Sequence, residues 1–361
     1  MQRPSGPSWP IYYFDIVHDY PGMGGVVEFS RILFRQLAAH YQQRLVSVRA
    51  FTAALGCAHD DMLYLDRERK VAEILAGIEP NAVFFFPNFQ SPVARQPNAA
   101  GPAIINVIHD LQFAFLPDLF SPERRSWLHQ TFAETKRNAD RIVFISRSTK
   151  QDFIDLFGKP RRCSVIYNPI ETHPVADLSD AATNEAPFLL ASFHHHPHKN
   201  FPALLELFAA LLALKPDVRL VVTGHGQERL AENLATLPDV VRSAIRHLGY
   251  VSRGELDALY RRADAFITVS RFEGFNMSAA EAACHGTPLI LSDLPVHREL
   301  FGPDACLVDL TDSSARSAER VAAYLESRPR RTNWRFRSQC EPSSVRESYV
   351  RVIDACRPAA R

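Results

Sequence analysis

Residues 265–283 read AFITVSRFEGFNMSAAEAA, and three kinds of sequence follow one another in that stretch. Ala265–Ser270 is a short run of apolar and β-branched residues, the pattern of a buried strand. Arg271–Phe275 is more polar and carries Gly274, which allows a tight turn. From Ser278 onward the chain is rich in alanine, with Ser278 placed to cap the helix that Ala279–Ala283 begins. Strand, turn and helix in that order make half of a βαβ unit.

The alternation continues on both sides. Pro187–Phe193, Val218–Thr223 and Ile245–Tyr250 read as strands before this unit, and Pro288–Ser292 and Ala305–Asp309 after it. An earlier series reads Ile11–Val17, Arg44–Ala50, Ala82–Pro87, Ala103–His109, Arg141–Ser146 and Cys163–Tyr167, with helical spacing of apolar residues in segments such as Val27–His40. Between the series, Glu171–Glu185 is polar, without period, and reads as a linker. A chain of 361 residues, at roughly 150 per domain, has room for two domains. The prediction is an α/β protein of two Rossmann-like parallel-sheet domains facing a cleft, residues 1–172 and 173–338. A last helical pattern, Pro342–Ala355 within residues 339–361, is expected to pack back on the first domain.

Composition narrows the class. Lys and Arg number 41 against 40 Asp and Glu, a net charge of +1, which argues against nucleic-acid binding by bulk charge. Cys57, Cys163, Cys284, Cys306, Cys340 and Cys356 are scattered, with no C-x-x-C pair, so a reducing compartment is expected rather than a disulfide framework. Residues 1–10 are polar with three prolines, unlike the core of a signal peptide. Ala203–Leu214 is apolar but interrupted by Glu206 and too short to cross a bilayer. The expectation is a cytoplasmic protein that at most lies on the inner face of the plasma membrane.

In open parallel sheets, ligands bind at the carboxyl ends of strands. Glu273 precedes the predicted helix and Glu281 falls on its first turn, so both carboxylates are expected to face one cleft. The amides of Gly274, Phe275, Asn276, Met277 and Ser278, with a helix N-terminus behind them, suit phosphate or sugar hydroxyls. Other patterns are weaker. The histidines at 194, 195, 196 and 198 lie on one loop with no acidic or cysteine partner at ligand spacing, so no metal is expected. Gly22-Met23-Gly24-Gly25 and Gly224-His225-Gly226 fail the dinucleotide fingerprint at Val27 and Arg229. His109 falls at a carboxyl strand end, where sites gather.

Glu273-Gly274-Phe275, a second Glu at 281 and Gly286-Thr287-Pro288 together resemble retaining glycosyltransferases of family four, which have the GT-B fold. Val107–Leu111, Ala139–Ser146, Tyr167–Ile170, His198–Asn200, Gly249–Ser252 and Leu259–Asp264 are similar to further segments of that family, in its order. The resemblance implies that Glu281 holds the donor ribose, Glu273 the transferred sugar and Lys199 the diphosphate. It places backbone at Val251 and Ser252 against the nucleobase, Gly24 and Gly25 close to the diphosphate or acceptor, and His109 near the reacting sugar. It implies transfer from a nucleotide-sugar donor to a glycan or lipid-linked glycan, with no metal and no other cofactor. The contexts of His109-Asp110 and Pro197–Asn200 look most like bacterial mannosyltransferases of polysaccharide assembly, which points to GDP-mannose. A UDP- or dTDP-sugar, a same-fold phosphorylase or epimerase, and a nucleotide-sugar-binding protein without activity are the alternatives. Two departures stand out: no arginine precedes Lys199, and Asn276-Met277-Ser278 replaces the commoner Gly-Leu-Pro.

Two basic and aromatic stretches suggest contact with anionic lipid. One runs from Phe113 to Trp127 with Arg124 and Arg125; the other sets Trp334 and Phe336 among Arg328, Arg330, Arg331, Arg335 and Arg337.

Overall fold

The structure is a computed structural model that describes residues 11–14, 24–41, 45–47, 82–88, 101–172, 187–193, 196–224, 227–327 and 334–356. The chain divides into two compact units, Met1–Pro169 with Ser338–Arg361, and Ile170–Arg337. The unit boundaries therefore lie at 169/170 and 337/338, against 172/173 and 338/339 in the sequence reading.

The first unit holds a sheet of β1 (Ile11–Tyr13), β2 (Leu45–Ser47), β3 (Val83–Phe86), β4 (Ala103–Ile108), β5 (Arg141–Phe144) and β6 (Cys163–Val165). Their order is β2-β1-β3-β4-β5-β6 and every pairing is parallel. β3 and β4 are buried at every residue, as strands covered on both faces must be. The core is rich in phenylalanine: Phe14 stacks on Phe86 with ring centroids 4.6 Å apart, and Phe132, Phe144 and Phe153 fill the face beside them. Helices α1 (Gly24–Tyr41), α2 (Pro122–Asn138) and α3 (Arg147–Phe157) flank the sheet sequence. α2 and α3 start where serine hydroxyls, Ser121 and Ser146, accept the amides of Arg124 and Thr149.

The second unit holds β7 (Phe188–Ser192), β8 (Arg219–Thr223), β9 (Ile245–Gly249), β10 (Ala265–Thr268), β11 (Leu289–Ser292) and β12 (Ala305–Val308). Its order is β12-β11-β10-β7-β8-β9, again parallel throughout. The chain winds outward from β7 to β9, then returns beside β7 at β10 and winds the other way. That reversal is a topological switch point, and the crevice at the carboxyl ends of β7 and β10 is where such sheets bind ligands. Helices α4 (Phe201–Leu214), α5 (Arg253–Arg262), α6 (Met277–Cys284), α7 (Pro295–Phe301) and α8 (Ser314–Glu326) belong to this unit. α4 and α8 pack into one core with Leu189, Leu220 and Ile290.

Helix α9 (Pro342–Ala355) belongs to the first unit. Tyr349 is fully buried there, its ring 5.6 Å from Phe85 and 6.3 Å from Phe29, and the Tyr41 hydroxyl donates to Asp354.

Several expectations need correction. Strands end earlier than the apolar runs do; β10 stops at Thr268, so Val269 and Ser270 leave the ladder and open the site loop. Asp15–Val17, Arg44, Val48–Ala50, Gly22 and Met23 lie outside the described residues, as do residues 173–186, most of the predicted linker. Trp334 and Phe336 are no membrane face: they are 2% and 9% exposed, Trp334 lies on Phe301 at 5.6 Å, and its indole N–H donates to the Leu300 carbonyl. Their aromatic area completes the core of the second unit, which an interleaved arginine pattern hides. Arg328, Arg330 and Arg331 lie outside the described residues. The stretch after Phe113 divides: Phe113 and Leu116 are buried, while Phe115 and Trp127 are 46% and 40% exposed and the Arg124 guanidinium lies over the Trp127 ring. The described cysteines are free thiols. No helix among the described residues is long and apolar enough to cross a membrane.

Candidate active site

The loops after β7 and β10 meet at the switch point. After β7, Pro197–Lys199 forms one 3₁₀ turn, and Asn200 ends it in the left-handed region at φ 55°. The Asn200 side chain donates to the Val269 carbonyl, and the Arg271 amide donates to the His198 carbonyl at 2.7 Å. Tied together in this way, the loops bring residues 74 positions apart into contact: Lys199 Nζ donates to Glu273 Oε1 at 2.7 Å. Ser270 Oγ donates to the same oxygen at 2.7 Å. Burial pushes the Glu273 carboxyl up, but the Lys199 ammonium, with a smaller contribution from His198, outweighs it and holds the group below the usual carboxylate range. Glu273 is thus an ionised, pre-aimed acceptor.

Asn276 starts α6, not Ser278. Its backbone sits at φ 72° and its Oδ1 accepts the Ala279 amide at 3.1 Å, which leaves Met277 as the first helical residue. Serine is a good cap, but position 276 requires positive φ, which Asn tolerates better than most residues. The same requirement suits the glycine that the resembled family more often carries there. Glu281 consequently falls on the second turn of α6, not the first. Ala279–Cys284 are all buried, so the alanines serve close packing. Gly286, at φ 77°, ends the helix, and Thr287 Oγ1 donates to the Tyr260 carbonyl at 2.6 Å. Much of the Gly-Thr-Pro element is therefore structural: it anchors α6 to α5.

Glu281 is held from two sides. Arg253 Nη2 donates to Oε1 at 2.8 Å and Tyr260 Oη to Oε2 at 3.2 Å. Burial and the Glu281 charge keep the Tyr260 phenol protonated, far above its ordinary range. Arg253 is the first residue of α5, which Ser252 caps in a capping box with Glu255. The Ser252 amide donates to Glu255 Oε2 at 2.7 Å and its carbonyl accepts the Leu256 amide, so both backbone groups of Ser252 are engaged. Val251 is the residue of that pair whose backbone lies outside the cap.

Two family models match the chain: Glycosyltransferase Family 4 over residues 34–173 and Glycosyl transferases group 1 over residues 179–339. Between them they take in most of both units. The chain carries a region matching glycosyltransferase family 4 followed by one matching glycosyl transferases group 1.

Among relatives, O-antigen chain mannosyltransferase B of Escherichia coli is 26% identical over 65% of the chain. The GDP-mannose:cellobiosyl-diphosphopolyprenol alpha-mannosyltransferase of Xanthomonas campestris is 29% identical over 41%. The matches span 63% and 40% of those relatives' lengths. Among solved structures, Anabaena HepE in complex with UDP and glucose superposes with a TM-score of 0.69 at 16% identity, covering 96% of this chain and 100% of that one. Sucrose-phosphate synthase of Thermosynechococcus elongatus gives 0.70 at 16%, covering 96% and 98%. These likenesses establish the GT-B fold.

Lys199, Glu273, Gly274–Ser278, Glu281, Val251 and Ser252 lie in the second unit; His109, Gly24 and Gly25 lie in the first. His109 follows β4, is 5% exposed, and donates from Nε2 to the Pro87 carbonyl at 2.8 Å with Phe29 edge-on. Burial lowers its pKa to about 4, so the ring is neutral. Gly24 and Gly25 are the exposed first residues of α1, and a Cβ on Gly24 would meet no atom among the described residues. His196 and His198 stack at 5.5 Å, and His194 and His195 lie outside the described residues. Sequence reasoning missed Arg253, Tyr260 and His297. Their only signal is a charge or ring within a helical pattern, which surface residues share.

Proposed function

We propose that this chain transfers a hexose, with retention of anomeric configuration, from a nucleoside-diphosphate sugar to a glycan hydroxyl, the donor being GDP-mannose and the acceptor lipid-linked. The observation that carries the reading is the Lys199–Glu273–Ser270 cluster at the β7/β10 switch point, one turn of chain from the N-terminus of α6.

The chemistry follows from those positions. As the glycosidic bond breaks, negative charge grows on the departing diphosphate. Lys199 carries three N–H donors, so it can keep Glu273 and still meet a phosphate oxygen. The Met277 and Ser278 amides lie at the positive end of α6 and add to that field. Glu273, ionised and oriented by Ser270, accepts from hydroxyls of the transferred sugar. Glu281, pinned by Arg253 and Tyr260, accepts from the ribose, and the Val251 backbone meets the base. No covalent nucleophile is required: a front-face route lets the leaving diphosphate take the acceptor proton, and the protein supplies position and charge stabilisation. His109, whose ring is neutral at working pH, is assigned to the reacting sugar on the family resemblance alone. The names of the two mannosyltransferase relatives support mannose and a polyprenol-linked acceptor. Phe115 and Trp127, with Arg124 and Arg125 on α2, suit contact with an anionic membrane on which such an acceptor lies.

The test offers GDP-mannose and UDP-glucose in parallel, with a polyprenyl-diphosphate oligosaccharide and its soluble headgroup analogue as acceptors. The expected result is an α-mannoside from GDP-mannose, formed faster on the lipid-linked acceptor. Transfer from UDP-glucose alone would overturn the donor assignment, and release of free sugar with no glycoside formed would overturn transfer itself.

A further inference from the structure

Asn200 and Asn276 are the two non-glycine residues at positive φ among the described residues, and both border the switch-point crevice. A left-handed residue with a Cβ, even Asn, is held there more firmly when its side chain has a fixed partner. At Asn276 the fixing contact is unusual. Its Oδ1 accepts the Ala279 amide, which obliges Nδ2 to point away from the helix, and Nδ2 donates to His297 Nε2 at 2.9 Å. His297 is fully buried on α7, and its Nδ1–H donates to the carbonyl of Ser292, the last residue of β11, at 2.7 Å.

Each ring nitrogen therefore has one role. Nδ1 carries the proton because a carbonyl accepts it, and Nε2 is an acceptor because an amide donates to it. A buried ring that filled space alone would not need an acceptor facing one neighbour and a donor facing another. The ring's partners span three elements, the carboxyl end of β11, the turn before α6 and α7 itself. Burial also lowers the His297 pKa, with Glu273 and Asp293 raising it and Lys199 lowering it, so the neutral form that accepts from Asn276 is the one present.

We propose that His297 is a positioning residue for the donor site: acting through Asn276, it holds the first turn of α6 so that the Ser278 amide receives the donor diphosphate. This rests on the donor reading given above. The Asn276 side chain caps Ala279 and so fixes the direction of the Ser278 amide. Without the acceptor at Nε2 the Asn276 amide can turn over, its cap on Ala279 is lost, and the turn loses the direction of its N–H groups.

The experiment titrates GDP into the wild type, His297→Leu, His297→Gln, Asn276→Gly and the Asn276→Gly/His297→Leu double variant, with thermal unfolding measured for each. His297→Leu should weaken GDP about tenfold, the size of effect lost with one helix cap. His297→Gln, whose carbonyl can accept from Asn276, should restore most of that. In the Asn276→Gly background, where φ is kept but the side-chain link is gone, His297→Leu should cost less than about twofold, since the two changes break one interaction. GDP affinity unchanged in His297→Leu, or an equal loss in both backgrounds, overturns the proposal while leaving the donor site intact. Should His297→Leu not fold, Asn276→Gly decides, because wild-type affinity there is contrary to the proposal. A wild type that binds neither GDP nor UDP removes the donor reading itself, and the proposal with it.

Discussion

Lys199 and Glu273 form a pair that was legible only in part. The sequence marks each by its position after a strand, but nothing in it indicates that they touch before any substrate arrives. Their contact at 2.7 Å implies a specific outcome for Lys199→Ala. That change removes the charge proposed to face the leaving diphosphate and leaves a buried carboxylate without its main partner. kcat/KM should fall at least about a hundredfold, because the lost interaction is stronger in the transition state than in the ground state. Steady-state kinetics with wild-type turnover would refute the role. His109 gives a different prediction. Its folded pKa of about 4 lies below the ordinary 6.5, so the native ring stays neutral while the unfolded chain takes up a proton. Stability is therefore full above pH 6.5 and falls as pH drops towards 4, by on the order of 3 kcal/mol for this one group. Denaturant unfolding at pH 7 and pH 4.5 should show that His109→Gln loses less between the two than the wild type does. The partners Arg253, Tyr260 and His297 were not legible, because they lie 28, 21 and 21 residues from the groups they hold and only folding brings them close.

At the scale of elements, apolar alternation located every strand of both sheets but not where each strand ends. The residues that leave the ladder, such as Val269 and Ser270, are as apolar or as small as those that stay. What ends them is the need to reach the site. The cap of α6 was misplaced for a related reason: a serine before alanines satisfies the local rule, and the left-handed turn at Asn276 is held by its contact with His297 on α7. Trp334 and Phe336 were read as surface because their neighbours are arginines. Burial of Trp334 on Phe301, with Phe336 edge-on to Trp334, outweighs that local pattern. β4 carries its own test. Asn106 is fully buried in it, and neither side-chain atom has a hydrogen-bond partner among the described residues. An unmet buried amide costs about 1–3 kcal/mol, so Asn106→Leu should leave stability unchanged or raise it by about 1 kcal/mol. Chemical denaturation reads the difference, and a loss above about 2 kcal/mol would mean the amide has a partner after all.

For the whole molecule, the order β12-β11-β10-β7-β8-β9 explains why residues far apart in sequence line one crevice of the second unit. The positive field there comes from Lys199 and the amides of α6. Activity should therefore persist in excess EDTA; loss of turnover that Mg²⁺ or Mn²⁺ restores would assign that field to a metal ion instead. The central claim is that Glu281, pinned by Arg253 and Tyr260, holds the donor nucleotide. Isothermal titration of GDP into the wild type and into Glu281→Ala tests it most directly. Removing a charged acceptor of ribose hydroxyls should weaken GDP at least about tenfold, given about 1.5–3 kcal/mol per charged hydrogen bond, with the fold retained. Equal affinity in the two proteins would contradict the account.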